Sequence, residues 1–204
     1  NGLIELAHGQ LLPTLMFTML TSLVLGMGAP TTANYVITST IAAPALLKLG
    51  VPAIAAHMFA FYFGIVADLT PPVALAAMAG AGIAKANPLK TAVESTKLAI
   101  AAFLVPYFFV YSPSLLLLGN ASWLYTIRVV AGALLGMLGL GACVEAWLIT
   151  NTKGIERLLL LVGGLSLIHP SLTTDIVGIV CIGAVYFMQK VRMARKSAPT
   201  IASP

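Results

Sequence analysis

The side chains best able to do chemistry lie in two short polar segments, residues 26–34 and 67–72, which interrupt long apolar stretches. The first segment holds two adjacent threonines, and the second holds Asp68 beside Thr70. Carboxylate, hydroxyl and backbone carbonyl oxygens are the ligands that a hard cation prefers. The two segments therefore predict a cation site, provided that the backbone there is released from regular helical hydrogen bonding.

Glycine and proline in both segments predict that a helix is interrupted at each. Two glycines precede the threonines of the first, and the Pro71–Pro72 pair of the second has no backbone N–H group. The helix before a break ends in free carbonyls with partial negative charge, and the helix after it begins with free amides with partial positive charge. The ranges 25–28 and 66–69 are expected to present carbonyls to a cation, and the ranges 31–33 and 70–73 are expected to present amides to a carboxylate.

Each of these side chains also has a purely structural interpretation. Thr70 followed by Pro71 has the pattern of a helix N-cap with proline at the first helical position. Asp68 would serve as a second cap or lie near the outer interface, although a charge at the centre of a membrane helix is unfavourable by roughly 2.5–3.5 kcal/mol on insertion scales. The polar side chains of residues 31–34 would then only satisfy backbone groups of the turn.

Composition places these segments in a membrane. The chain has 204 residues, of which 59% are hydrophobic and 8% charged, whereas a soluble domain carries about 25% charged residues. Residues 98–118 and 129–144 contain no charge, and roughly 18 or more apolar residues suffice to cross the hydrocarbon core as a helix. The fold class is thus all-α polytopic membrane protein. The sequence has no catalytic or phosphate-binding motif, so no enzyme is predicted.

The two breaks fall in elements of unusual length. A straight helix over residues 51–84 would be about 51 Å long, while the hydrocarbon core is about 30 Å thick, so we predict one crossing made of two half-helices. Residues 11–47 are predicted to form a re-entrant hairpin with its tip at 26–32. Two thin but complete crossings are the alternative. His57, in the first half-helix, is expected to be packed among its neighbours or to form a hydrogen bond between helices rather than relay protons.

Three regions follow from this pattern. Residues 1–97 are predicted to hold the hairpin and the broken helix, residues 98–190 about four further transmembrane helices, and residues 191–204 a cytoplasmic basic tail. Lys190 and Arg192 mark the cytoplasmic flank of the last helix. These cations are therefore not interpreted as a nucleic-acid patch, and no nucleic-acid partner is expected.

Three motifs in order resemble the large membrane subunit of tripartite ATP-independent periplasmic (TRAP) transporters. They are GMGAPTTANY at residues 26–35, AHMFAFYFG at 56–64 and DLTPPVALA at 68–76. The resemblance is strong over residues 10–120 and weak over 121–190. Within that family the sequence most resembles the fused permeases of the TAXI branch. This chain would be the C-terminal part of such a permease.

The resemblance implies an elevator-type symporter of the bacterial or archaeal inner membrane, coupled to Na⁺ and without another cofactor. It would import organic acids delivered by a periplasmic binding protein. The other implied partners are a small membrane subunit or fused equivalent, an upstream repeat that completes the site, and the lipid bilayer. The residues and the resemblance together predict sodium ligands at Gly26, Gly28, Thr31, Asp68 and Thr70, and substrate contacts at Thr32, Asn34, Thr70 and Pro71.

Two other functions stay open at this point. Another elevator-type carrier, either an anion symporter or an antiporter, would use the same broken helices with protons in place of sodium. A non-transporting membrane scaffold subunit would require both interruptions to be packing defects. Continuous helices at both breaks would favour the scaffold.

Overall fold

The helical fold is seen in a computed structural model, which describes residues 2–119, 122–169 and 171–197. Over these residues helix follows helix, joined by turns and short 3₁₀ segments, so the predicted all-α fold is confirmed. The helices are α1 (Gly2–Leu6), α2 (Leu11–Gly26), α3 (Thr31–Ile41), α4 (Ala43–Lys48), α5 (Ala53–Val66), α6 (Leu75–Ala84), α7 (Pro88–Leu98), α8 (Val105–Tyr111), α9 (Trp123–Val144), α10 (Gly154–Ser166) and α11 (Leu172–Ser197).

Two compact units divide the chain, residues 1–130 and residues 131–204. The first contains both interruptions that the sequence predicts. The second contains most of α9 together with α10 and α11. The predicted regional boundary at residue 97 stays a prediction.

The hairpin is built from α2 and α3, whose ends flank the predicted tip. Helix α2 ends at Gly26 and α3 begins at Thr31, and Gly28 between them has a φ of 73°. The interruption at residues 26–32 is therefore confirmed. The returning arm differs from the expected single helix, since α3 ends at Ile41 and α4 continues from Ala43. Pro44 in the first turn of α4 has no N–H for a helical bond.

The break in residues 51–84 is also confirmed, but the helix after it starts later than predicted, and the joining of the two halves into one crossing stays a prediction. A 3₁₀ turn follows α5 at Ala67–Leu69, and α6 begins only at Leu75 with Ala74 as its N-cap. The predicted cap at Thr70 is wrong, because Thr70 Oγ1 donates backwards to the Val66 carbonyl at 2.8 Å. Two consecutive prolines follow and supply no donors, so helical bonding resumes only beyond them.

Helix α5 lies at the centre of the first unit. Phe59 and Phe63 on this helix are fully buried. The ring centroids of Phe59 and Tyr107 are 5.2 Å apart, and those of Phe63 and Phe103 are 6.0 Å apart. Since lipid is as apolar as these rings, packing contacts rather than exclusion of water hold such helices together. This aromatic cluster gives α5 a fixed position, against which the hairpin is set.

Residues 98–118, predicted to form one crossing, do not form one regular helix. The segment Ile100–Tyr111 follows α7 directly, and the two form a pair bent by 52°. A 3₁₀ turn at Ile100–Leu104 separates α7 from α8, and Pro106 removes a donor from the first turn of α8. In the described chain, Trp123–Val144 and Leu172–Ala194 are long and apolar enough to cross a membrane, and the bent pair makes a third if it is counted as one span.

In the second unit, a buried polar cluster connects α11 to the turn before α10. Gln189 Oε1 accepts from the backbone amides of Ile149 (3.0 Å) and Thr150 (3.1 Å), and its Nε2 donates to Glu156 Oε2 at 3.0 Å. Arg192 Nη2 also donates to Glu156 Oε2 at 3.1 Å. Gln189 is fully buried, so all its polar atoms depend on these partners.

Replacing Gln189 with leucine is expected to lower the free energy of unfolding by about 2 kcal/mol, because two backbone amides lose their acceptor. Gln10→Leu is the matched control, since the exposed Gln10 side chain forms no capping bond to α2. Thermal unfolding of both variants in detergent measures the difference. Equal stability of the two variants would show that the cluster adds nothing.

Candidate functional site

The hairpin tip meets α5 at a contact between two glycines. A Cβ added at Gly26 would lie 2.7 Å from Gly64 Cα, which is closer than real Cβ atoms approach. A Cβ added at Gly64 would fall into the side-chain amide of Asn34, 2.9 Å from its Cγ. Only residues without a side chain allow α2 and α5 to approach this closely.

Asn34 completes this contact from α3. Its side chain is 1% exposed, and Nδ2 donates to the Gly26 carbonyl at 3.5 Å. Its Oδ1 is buried without a hydrogen-bond partner in the described chain. Asn34 thus forms a hydrogen bond to the backbone of the tip, which is the purely structural role considered for it above. Its side-chain oxygen accepts no hydrogen bond from the described residues. Its predicted contact with substrate stays a prediction.

The tip also lies next to the joint of the broken helix. The Cβ position of Gly28 is 3.9 Å from Val73 Cγ1. Val73 follows the two prolines of the joint. The structure therefore brings the two interruptions together, although more than thirty residues separate them in the sequence.

At the joint, the carbonyl groups of the first half-helix are partly occupied. Thr70 Oγ1 bonds to the Val66 carbonyl, and Thr96 Oγ1 on α7 donates to the Leu69 carbonyl at 3.1 Å. Asp68 differs, because its Oδ1 is buried and has no hydrogen-bond partner among the described residues. A buried carboxylate oxygen without a donor is unfavourable unless a cation or another ligand neutralises it. Asp68 is thus the strongest candidate cation ligand.

The free amides lie where the helices begin. In α3 the first helical bond runs from Asn34 N to Pro30 O at 2.8 Å, so residues 31–33 have no intrahelical partner, as predicted. In α6 the first runs from Met78 N to Ala74 O at 2.9 Å. The free amides of the second break therefore belong to residues 75–77, and the predicted range 70–73 is wrong.

A cavity of about 630 Å³ opens between α3 and α5. On one side of it, Tyr35 Oη and His57 Nδ1 are 3.2 Å apart, so the predicted hydrogen bond of His57 between helices is confirmed. Of the predicted site residues, the two threonines of the tip line this cavity, whereas those of the joint do not. The lining residues are Thr31, Thr32, Tyr35, Ala53, Ile54, His57, Met58 and Phe61.

Gly64 and Tyr35 were not among the predicted site residues. A signal for Gly64 was present, since Ala56, Ala60 and Gly64 are spaced four residues apart and form a small-residue face of α5. Tyr35 carried no comparable signal, because its role depends on contact with a helix about twenty residues later. Tyr35 is recognised as a site residue only once the pairing of α3 with α5 is known.

A family model described as "Tripartite ATP-independent periplasmic transporter, DctM component" matches residues 1–124. The match covers more than half of the 204 residues and includes the hairpin, the joint and the cavity. The chain belongs to this family. Comparisons with curated proteins and with solved structures found no match.

As a DctM-family protein, the chain is a membrane-embedded permease of the TRAP type. Membership of a tripartite family implies partnership with a periplasmic binding protein and a small membrane subunit. All predicted site residues of this DctM-family chain lie within the matched range. Residues 125–204 lie outside it, and the resemblance to fused TAXI permeases stays a prediction.

Proposed function

We propose that this chain is the permease part of a sodium-coupled TRAP transporter, which imports organic acids delivered by a periplasmic binding protein across the bacterial or archaeal inner membrane. One observation carries the proposal. The buried, unpartnered Oδ1 of Asp68 lies in a helix joint that contacts a glycine-rich hairpin tip. Unwound backbone beside a broken membrane helix is the arrangement in which secondary transporters hold their coupling ions.

Sodium suits the oxygen atoms available at these two breaks. Gly28 supplies a backbone carbonyl at the tip, and Thr31 supplies a hydroxyl. The Gly26 carbonyl would join them on release of its long bond of 3.5 Å from Asn34 Nδ2. Asp68 supplies the only negative charge of the set, while the Thr70 hydroxyl oxygen can still accept after donating to Val66. A monovalent cation would neutralise the carboxylate, and all of its ligands would be hard oxygen atoms.

The substrate carboxylate is assigned to the opposite pole of the same breaks. The free amides at the start of α3 carry partial positive charge, and Thr32 adds a hydroxyl donor beside them. Asn34, Thr70 and Pro71 are proposed to contact substrate when the upstream repeat is present. Cation and anion thus bind to opposite dipole ends, so each ion favours binding of the other.

Replacing sodium is the experiment that tests the proposal. The complete transporter, reconstituted in proteoliposomes with its binding protein, is expected to lose at least about tenfold of its organic-acid uptake when an inward Na⁺ gradient is replaced by K⁺. A pH gradient without Na⁺ is the control for coupling to protons. Full uptake driven by the pH gradient alone would favour the proton-coupled carrier and reject sodium coupling.

A further inference from the structure

The cavity between α3 and α5 is large enough for a small organic molecule, and its two sides differ in polarity. Its volume of about 630 Å³ lies within the range of roughly 300–1,000 Å³ that is common for ligand pockets. One side carries Ile54, Met58 and Phe61, which are spaced by four and three residues along α5. These positions lie on one face of a helix and make a continuous apolar wall.

The other side carries hydrogen-bond donors. Thr31 and Thr32, which each carry a hydroxyl, line the cavity where α3 begins, and the Tyr35–His57 pair follows. When Tyr35 Oη–H donates to His57 Nδ1, the tyrosine proton is used within the pair, and the His57 ring presents Nε2–H as the donor that remains. None of the described residues that line the cavity is acidic. Donors without a competing carboxylate complement an anion.

We infer that this cavity binds the transported acid and selects monocarboxylates with a branched or aromatic apolar body. The carboxylate would contact Thr32 and the Tyr35–His57 pair, and the body would lie against Ile54, Met58 and Phe61. A dicarboxylate would place its second charge on the apolar wall, where nothing on α5 neutralises it. This inference rests on the proposed function and narrows its substrate class.

Direct binding to the complete transporter in detergent tests the inference, with radiolabelled benzoate as the probe. Unlabelled 4-methylpentanoate is expected to compete with benzoate. Succinate and the uncharged benzamide are expected to compete at least about tenfold less well, because succinate lacks the apolar body and benzamide lacks the carboxylate. Equal competition by succinate, equal competition by benzamide, or no benzoate binding at all would overturn the inference.

Two pairs of variants locate the binding. Tyr35→Phe is expected to weaken benzoate binding about tenfold, since His57 loses the hydroxyl donor that keeps the ring proton on Nε2, while the edge contact with Phe61 is kept. Tyr125→Phe is its matched control, because the two tyrosines are 38% and 37% exposed and Tyr125 lies outside the cavity. Ile54→Trp should block the cavity, and Ile65→Trp, on the same helix but outside the lining, should not.

The outcomes separate this inference from the proposed function. Benzoate uptake that needs no Na⁺ would reject sodium coupling but leave the cavity assignment intact. Sodium-driven uptake of succinate that Tyr35→Phe leaves unchanged would support sodium coupling but reject the assignment of the cavity. Binding that strengthens from octanoate to dodecanoate and ignores Tyr35→Phe would identify a lipid chain as the occupant and overturn the inference.

Discussion

Replacing Gly64 with alanine is expected to reduce sodium-driven uptake by the complete transporter more than about tenfold, and to lower the free energy of unfolding by about 1–3 kcal/mol. The added methyl group would occupy the position of the Asn34 side-chain amide. Asn34 would have to leave both Gly64 and the Gly26 carbonyl, and the hairpin tip would move away from α5. Uptake at a subsaturating acid concentration and thermal unfolding in detergent measure the two effects.

Gly80→Ala is the matched control, because a Cβ at Gly80 in α6 meets nothing within 4 Å. Alanine favours a helix over glycine by about 0.8–1.0 kcal/mol, so this variant should be at least as stable as the parent protein. If Gly64→Ala transported as well as Gly80→Ala, the close contact between tip and α5 would have no part in transport.

The sequence predicts the two interruptions because their causes are local. Prolines without N–H groups and glycines with little conformational restraint disrupt a helix whatever surrounds them. The tip between Gly26 and Thr31 follows from those residue types alone, as does the break after Val66. The need of His57 for a partner is local in the same sense, because a polar side chain inside an apolar helix must be hydrogen-bonded, whereas the identity of the partner, Tyr35, depends on the pairing of α3 with α5.

Tertiary contacts decide what the sequence does not predict. The start of α6 moves to Leu75 because Thr70 bonds backwards to Val66, and Thr96 from α7 occupies the Leu69 carbonyl. Residue type allows Thr70 to cap either the helix before it or the helix after it. The packing of Asn34 on Gly64 likewise joins residues thirty positions apart, and no periodicity within one helix reveals it.

Asp68→Asn is expected to weaken the apparent sodium affinity of the complete transporter about 100-fold, which corresponds to about 2.8 kcal/mol. Asparagine keeps the shape of the side chain but removes the only negative charge at the two breaks. Glu94→Gln is the control, because Glu94 and Lys97 form an exposed pair at 2.8 Å on α7, and such pairs contribute little. Uptake measured as a function of Na⁺ concentration gives the apparent affinity for each variant.

Stability distinguishes a sodium ligand from a structural carboxylate at Asp68. A structural Asp68 would make Asp68→Asn less stable in every buffer. A ligand that is unpartnered without its cation predicts the opposite in potassium buffer, where removal of a half-buried charge with one unpartnered oxygen should leave the variant as stable as the parent protein or more so. Added Na⁺ should then raise the unfolding temperature of the parent protein, because a bound ion stabilises the folded state, and should not raise that of the variant. A sodium-dependent rise that persists in Asp68→Asn would move the cation site away from this joint.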